Sequence, residues 1–431
     1  MAVSAWLSFW FVFVYNGCNY LASLRDDVGN CAFWWERYYP FVPVLIIPYW
    51  SIDLLFVVAP FFIPSSFLLR QHVKRITMGI AIAGFFFLNF PLTLIYQRPL
   101  VTGFLGKLFG SLENFNNFYN CAPSLHITLR TNLWSIYVTP TRGWRRALIG
   151  GWFGLIGLST LLCWQHYIID VVSGQLLGLF CLFIFPSVPF HPPHRDPGRG
   201  INARPDLGHF YAMGSLLLVL LLVLGWPTAF PLMWPALSLA LVAAAYYRAG
   251  PTFLRKFQGK QLLGSRWLLN PYRWVLAATA RHFNQGHPPY GELEPGMYFG
   301  RRLSAAEASR LPVEAVLDLT AEYDEVAPFL QRTYLNLPVL DLTAPSPEQL
   351  RQAVDFLQLH PSCYVHCSLG LGRTVAVGVA YLMLHRGLDL EAALARMAEV
   401  RPRMRLAPAT LRVLAELEAG ATARGGAGSP Q

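Results

Sequence analysis

The feature that most restricts this chain's fold is a series of long apolar stretches, all ending before residue 248. They lie at about 3–22, 42–63, 76–96, 123–139, 146–164, 166–187, 208–226 and 228–247. Each is close to the ~20 residues that carry a helix across the hydrocarbon core of a bilayer. A water-soluble domain cannot bury that much apolar surface. Only 13 % of the residues are charged, and the mean hydropathy is +0.37. The expected architecture is multi-domain: a polytopic α-helical membrane bundle of about eight spans (residues 1–247) followed by a soluble α/β domain. No cleavable leader is expected, because positive residues before the first stretch are lacking and that stretch runs too long.

Loop charge sets the expected orientation. Arg70, Lys74, Arg75, Arg142, Arg145, Arg146, Arg195, Arg199 and Arg204 follow the second, fourth and sixth stretches, whereas the opposite loops hold only Arg25, Arg37, Arg98 and Lys107. Basic loops stay in the cytoplasm. An even number of spans then puts both chain ends there. Residues 248–285 carry Arg248, Arg255, Lys256, Lys260, Arg266, Arg273 and Arg281 without an acidic residue, interleaved with Trp267, Tyr272, Trp274 and Phe283. That composition suits nucleic acid or a solvated linker. Directly after a span, a basic-aromatic linker held at the interface by anionic lipid is the expectation, with no nucleic-acid partner. The net charge of +10 is explained the same way.

From residue 286 the composition becomes that of a soluble α/β domain, expected over 286–419 and followed by a flexible tail, 420–431. Periodicity predicts strands at 297–299, 315–319 and 334–340, and helices at 346–359, 389–400 and 409–418. The most informative run is Tyr364-Val365-His366-Cys367-Ser368-Leu369-Gly370-Leu371-Gly372-Arg373-Thr374, which reads strand, tight loop, helix. Gly370 and Gly372 let the loop of residues 368–372 close around a ligand. The helix start offers free N–H groups and positive dipole to an anion. Arg373 can clamp two phosphate oxygens with its planar fork. Cys367, beside that arginine, should ionise easily, and thiolate is the nucleophilic form. A reducing cytoplasm, the side that loop charge alone assigns to this domain, is where such a thiolate belongs.

This Cys-x5-Arg-Thr with its preceding histidine resembles the signature of the cysteine-dependent protein-tyrosine and dual-specificity phosphatases. Gly300 with the arginines after it, and Arg401-Pro402-Arg403, add to the likeness over about 130 residues. The resemblance implies a phosphocysteine intermediate, no cofactor and no metal. It implies that Ser368, Leu369, Gly370, Leu371 and Gly372 hold the phosphate with Arg373 and Thr374, and that His366 orients the loop and tunes Cys367. It also implies an upstream aspartate as general acid. Asp341, opening the loop after 334–340, fits that place, with Asp324 and Glu325 as rivals. Cys363, on the strand before Cys367, reads as structural.

A second constellation lies in the apolar half: Cys121-Ala122-Pro123-Ser124-Leu125-His126, then His166-Tyr167-Ile168-Ile169-Asp170. Both runs sit where a loop enters a span, on the side expected outside, and ionisable residues there are usually functional. His166 and Asp170 share a helix face at i, i+4 spacing. Asp170 can fix the tautomer of His166, His166 could attack phosphorus, and His126 could protonate the departing oxygen. These residues resemble the type 2 phosphatidic acid phosphatase superfamily. Arg98-Pro99 matches the end of its first motif, with Pro91 where that motif has lysine; Leu125 replaces a glycine and Thr160 an arginine. The Pro-Ser-Leu-His form is closer to the sphingomyelin and inositol phosphorylceramide synthases, which move a headgroup between lipids. Arg98 and Arg130 are alternative phosphate ligands, Ser124 belongs to the second motif, and Asn114, Asn116, Asn117 and Asn120 could bind a headgroup or make turns. Cys31 and Cys121, both expected outside, could pair or simply pack.

The expected protein is thus a membrane-bound phosphatase with a cytoplasmic Cys367 site and an outward His126/His166/Asp170 site, acting on phospholipid or phosphoprotein. The whole-chain resemblance implies a bacterial inner-membrane protein. The competing expectation is a membrane-anchored protein phosphatase whose apolar half only binds lipid.

Overall fold

The computed structural model describes residues 2–113, 119–188 and 204–425. The chain forms two compact units, one comprising Met1–Phe190 and Leu221–Trp234, the other His191–Leu220 and Pro235–Gln431. Asn114, Asn116, Asn117, Arg195 and Arg199 lie outside the described residues.

The first unit is built on helices α1 (Ala2–Ser23), α2 (Ile46–Val58), α3 (Ser66–Asn89), α4 (Gly103–Glu113), α5 (Leu125–Tyr137), α6 (Gly143–Leu162) and α7 (Ile168–Ile184). Its interior joins Leu7, Ile52, Phe56, Ile80, Leu129 and Phe153 into one cluster. Small residues let α5 and α7 touch: a Cβ on Gly174 would come within 2.4 Å of the Ser124 carbonyl oxygen. Phe9, Phe13, Leu54, Phe85 and Leu148 point outward and are exposed, a surface suited to lipid rather than water.

Helices form at each of the eight apolar stretches, but among the described residues only Pro43–Phe62, Pro205–Leu224 and Phe230–Tyr247 are both long and apolar enough to cross a membrane. The third stretch begins earlier than 76, because Ser65 caps the helix by accepting from the Leu68 N–H at 3.2 Å. Arg70, Lys74 and Arg75, expected in a loop, therefore ride on α3. Arg75 is buried and donates to the Phe185 carbonyl (2.7 Å), Ser135 Oγ (3.1 Å) and Ser187 Oγ (2.8 Å). It ties the start of α3 to the far ends of α5 and α7. His126 and His166 lie at the opposite ends of those two helices.

The second unit begins with α8 (Pro205–Leu224) and α9 (Met233–Ala244), of which residues up to Leu220 and from Pro235 belong to it. The segment expected as a tether is ordered into the hairpin β1 (Lys256–Phe257) and β2 (Lys260–Gln261), then α10 (Leu263–Leu268) and α11 (Asn270–Asn284). A five-stranded sheet follows: β3 (Tyr290–Glu294), β4 (Met297–Arg301), β5 (Ala315–Thr320), β6 (Thr333–Val339) and β7 (Cys363–Cys367) in the order β3-β4-β7-β5-β6. All neighbours are parallel except β3 and β4. Helices α12 (Ala305–Arg310), α13 (Ala327–Leu330), α14 (Pro347–Leu359), α15 (Arg373–Arg386), α16 (Leu390–Val400) and α17 (Pro408–Gly425) flank it. Ser346 and Asp389 cap α14 and α16. α17 runs through Gly425, past the residue where a tail was expected. The central strand β7, buried along its whole length, delivers Cys367 to the carboxyl edge of the sheet, where parallel sheets place their sites.

Candidate active site

Cys367 ends β7, and Arg373 is the first residue of α15. The residues between them form a loop whose carbonyls are engaged from outside. The Arg302 N–H donates to the Ser368 carbonyl (3.2 Å) and the Arg405 N–H to that of Leu371 (2.8 Å), while Arg401 donates to those of Gly370 (3.1 Å) and Leu369 (3.4 Å). With its carbonyls held outward, the loop turns N–H groups toward the sulfur, and the Gly370 N–H reaches Cys367 Sγ at 3.2 Å. Gly370 has a φ of +70°, and a Cβ there would meet the Gly300 carbonyl carbon at 2.4 Å. Both facts require glycine. Burial pushes the Cys367 thiol up, but the Arg373 charge and hydrogen bonds from the Thr374 side chain and backbone outweigh it, and the pKa is lowered. The Thr374 hydroxyl also reaches the Gly300 carbonyl at 3.3 Å.

Arg373 is buried and held by Glu322, whose two carboxylate oxygens lie 2.9 and 3.2 Å from Nη2 and Nη1. Nη1 also donates to the Val339 carbonyl at 2.7 Å, and Nη2 meets Asp341 Oδ1 at 2.9 Å. Burial lowers the pKa of the guanidinium, yet Glu322, Asp341 and Cys367 raise it well above its ordinary value. Of the three candidate acids, Asp341 is the one seated on Arg373. Glu325 is buried with Oε2 at 2.9 Å from His366 Nε2, and Asp324 accepts from the Gln261 N–H at 2.6 Å. Leu342, beside Asp341, has a φ of +58° and is exposed, so the acid sits on a strained turn.

His366 is fully buried and packs against Phe329 and Tyr364, which also touch each other, so it can influence Cys367 only through the strand and the field. Sequence reading did not find Glu322 as the partner of Arg373, nor Asp318 behind His366. The signal was the acidic run after β5, Glu322 to Glu325, of which only Asp324 and Glu325 read as rival acids. A cavity of about 770 Å³ opens beside the loop, lined in part by Leu371, His287, Arg401, Arg403 and Arg405.

Residues 297–419 match the family described as dual specificity phosphatase, catalytic domain. This segment is a dual specificity phosphatase domain. The dual specificity phosphatase domain resembles phosphatidylglycerophosphate phosphatase PTPMT2 of Arabidopsis thaliana, 30% identical over 125 residues, 27% of this chain and 55% of that protein. Dual specificity protein phosphatase 15 of Homo sapiens is 27% identical over 114 residues, 25% of this chain and 39% of that protein. The chain spans about half or less of the length of these relatives. Among solved structures, Tk-PTP in its active form shares 30% identity over 31% of this chain and 97% of that one, with a TM-score of 0.30. The phosphatase domain is thus of the type that hydrolyses phosphate monoesters.

In the first unit, His166 Nδ1 lies 3.3 Å from Asp170 Oδ2, which also accepts from the Tyr167 N–H at 2.9 Å. His126 stacks on Tyr49, with ring centroids 4.1 Å apart. Both histidines line one cavity of about 310 Å³ with Asp53, Tyr15 and Asn120. The expected phosphate ligands have the following partners. Arg130 donates to the Phe153 carbonyl (2.7 Å) and Gln175 Oε1 (3.1 Å), joining α5 to α6 and α7. Ser124 Oγ accepts from the Ile127 N–H at 3.3 Å and caps α5. Arg98 lies over the Phe109 ring at 5.2 Å. All seven cysteines are buried free thiols; Cys31 donates to Asp170 Oδ1 at 3.5 Å and Cys363 packs in the core.

Proposed function

We propose that the chain is a membrane-bound phosphatase whose Cys367 site removes a terminal phosphate from a lipid at the cytoplasmic surface. The observation that carries this reading is the anchorage of the acid loop. Tyr246 Oη, at the end of the apolar helix Phe230–Tyr247, donates to the Asp341 carbonyl at 3.0 Å. Arg204, at the start of the apolar helix Pro205–Leu224, donates to the Leu342 carbonyl at 2.9 Å. An acid turn bound to the ends of two candidate spans supports a substrate held at a membrane surface. The likeness to a phosphatidylglycerophosphate phosphatase supports the same substrate class. So do Arg401, Arg403 and Arg405 beside the loop, which suit a second anionic group on the substrate.

In this mechanism Cys367 Sγ attacks phosphorus and the bond to the leaving oxygen breaks. The loop N–H groups and Arg373 hold the phosphoryl oxygens as charge builds. Substrate phosphate takes over the face of Arg373 that meets Asp341, freeing Asp341 to protonate the leaving oxygen. Water, deprotonated by Asp341, then displaces the thiolate from the phosphocysteine and releases phosphate. The full chain in phospholipid vesicles is expected to release phosphate from phosphatidylglycerophosphate at a kcat/KM at least about tenfold above that for a phosphotyrosine peptide. The reverse preference would make the chain a membrane-anchored protein phosphatase.

The His126/His166/Asp170 site is proposed to lie on the outer face and to hydrolyse lipid phosphate or transfer a headgroup. The cavity shared by both histidines, with Asp170 on His166, supports this. If so, one phosphate cannot visit both sites without crossing the bilayer, and a lipid must flip between them or the two serve separate steps. Single cysteines placed at 114–120 and in the terminal tail are expected to react differently in intact cells: an impermeant maleimide labels the first and spares the second. The native cysteines are buried, so background is low. Equal labelling would defeat the two-face arrangement.

A further inference from the structure

We propose that the β1–β2 hairpin, which precedes the matched family domain, is a working part of its catalytic apparatus, with Lys256 as a positioning residue for His366 and the Glu322 loop. This rests on the phosphatase reading of the Cys367 site. The family match begins at residue 297, so the hairpin comes from the segment that leads out of the apolar helices.

Lys256 is buried, and its ammonium donates to Asp318 Oδ2, Thr320 Oγ1 (2.9 Å) and the Thr320 carbonyl (3.1 Å). All three of its protons are thereby used. Asp318 is fully buried; Oδ1 accepts from the Thr320 N–H and hydroxyl, each at 2.7 Å, and Oδ2 from Tyr334 Oη at 2.6 Å. Asp318 Oδ1 lies 3.9 Å from His366 Nε2, which lies 2.9 Å from Glu325 Oε2. Lys256, Asp318, His366 and Glu325 thus form a buried chain of alternating sign that includes His366, the residue before Cys367 on β7. Two carboxylates face one fixed cation and an imidazole. Asp318, Glu325 and His366 have the donor set of a metal site, but the Lys256 ammonium already supplies the cation that Asp318 needs. Burial lowers the His366 pKa, but Glu325 and Asp318 outweigh it and raise it. Without Lys256 the chain carries an uncompensated buried negative charge.

The hairpin grips the acidic run at points on both sides of Glu322. Gln261 Nε2 donates to the Ala321 carbonyl (2.6 Å), the Gln261 N–H to Asp324 Oδ1 (2.6 Å) and Lys260 Nζ to the Glu325 carbonyl (2.7 Å), while the Glu325 N–H donates to the Gly259 carbonyl (2.7 Å). Glu322, between those points, is the carboxylate that aims Arg373. The position of the hairpin therefore reaches the guanidinium fork through one residue, and a shift of about 1 Å in such a group lowers rate on the order of a hundredfold.

The test uses the full chain in detergent and a generic aryl phosphate. Lys256→Met is expected to lower kcat by about a hundredfold with KM within about twofold, the pattern of lost positioning rather than lost binding. It is also expected to move the pH midpoint of Cys367 alkylation upward, because the Asp318 charge is no longer balanced. Lys256→Met combined with Asp318→Asn removes both charges, and the new amide can donate to Tyr334 Oη. This pair should recover at least about tenfold of the lost rate and return the midpoint toward wild type. Wild-type kcat and midpoint in the single variant would overturn the proposal. A double variant no better than the single one would also overturn it, since the role would then be packing alone. The alkylation midpoint needs no turnover, so it decides the hairpin's role even if the wild-type chain hydrolyses no aryl phosphate, a result that would remove the phosphatase reading by itself.

Discussion

Cys367→Ser is expected to abolish turnover of an aryl phosphate by the full chain, with kcat falling by at least about 10⁴-fold. The reason lies in the balance at the sulfur. Burial alone would keep Cys367 protonated, and the Arg373 charge with the Thr374 hydrogen bonds reverses that. A serine hydroxyl ionises so much less readily that the same surroundings leave it neutral, and a neutral hydroxyl is a poor nucleophile. Wild-type kcat/KM should rise with pH through an ionisation below the ordinary thiol value, because the lowered pKa leaves thiolate present at lower pH. Addition of a chelator should change nothing if the proposed chemistry, through sulfur and guanidinium, holds. Full activity in Cys367→Ser, or a rate that depends on added divalent metal, would remove Cys367 from the nucleophile role.

Asp341→Asn is expected to lose the most rate where the leaving group is poorest. An alkyl phosphate needs its departing oxygen protonated in the transition state and should slow by about 10²–10⁴-fold. A nitrophenyl phosphate, whose leaving group is stable as an anion, should slow far less. The geometry that supports this is the seat of Asp341 Oδ1 on Arg373 at 2.9 Å, with the carboxylate still partly open to solvent. Equal losses on both substrates would show that Asp341 positions Arg373 and does not deliver a proton. Glu325, though buried against His366, would then have to be tested as an acid in its place.

Much of the phosphatase site was legible because its chemistry is local. Strand, loop and helix from Tyr364 to Thr374 are contiguous, and the backbone itself carries the Gly370 N–H to the sulfur. The residue pattern located β4, β5, β6, α14 and α16 within a few residues: α14 and α16 each bury one stripe, and β5 is a short apolar run buried on both faces. The start of α3 was misplaced because charge was read as loop, whereas Arg75 is buried among oxygen acceptors from distant helices. Ser124, from the second motif, and Arg130, four residues after His126, read as candidate phosphate ligands; what short-range spacing did not carry is that Ser124 Oγ also caps α5 and that Arg130 also bonds acceptors on α6 and α7.

The sequence by itself determined the candidate nucleophile, the arginine that closes its loop, the candidate acid and the apolar character of the first half. Those follow from residue type and short-range spacing. Only the tertiary structure decided what neutralises and aims these groups. Glu322 reaches Arg373 across 51 residues, Lys256 reaches Asp318 across 62, and Tyr246 reaches the acid loop across 95. A buried charge must find its counterion somewhere in space. Periodicity records which face of an element is buried, but it carries no record of which distant side chain will meet it there.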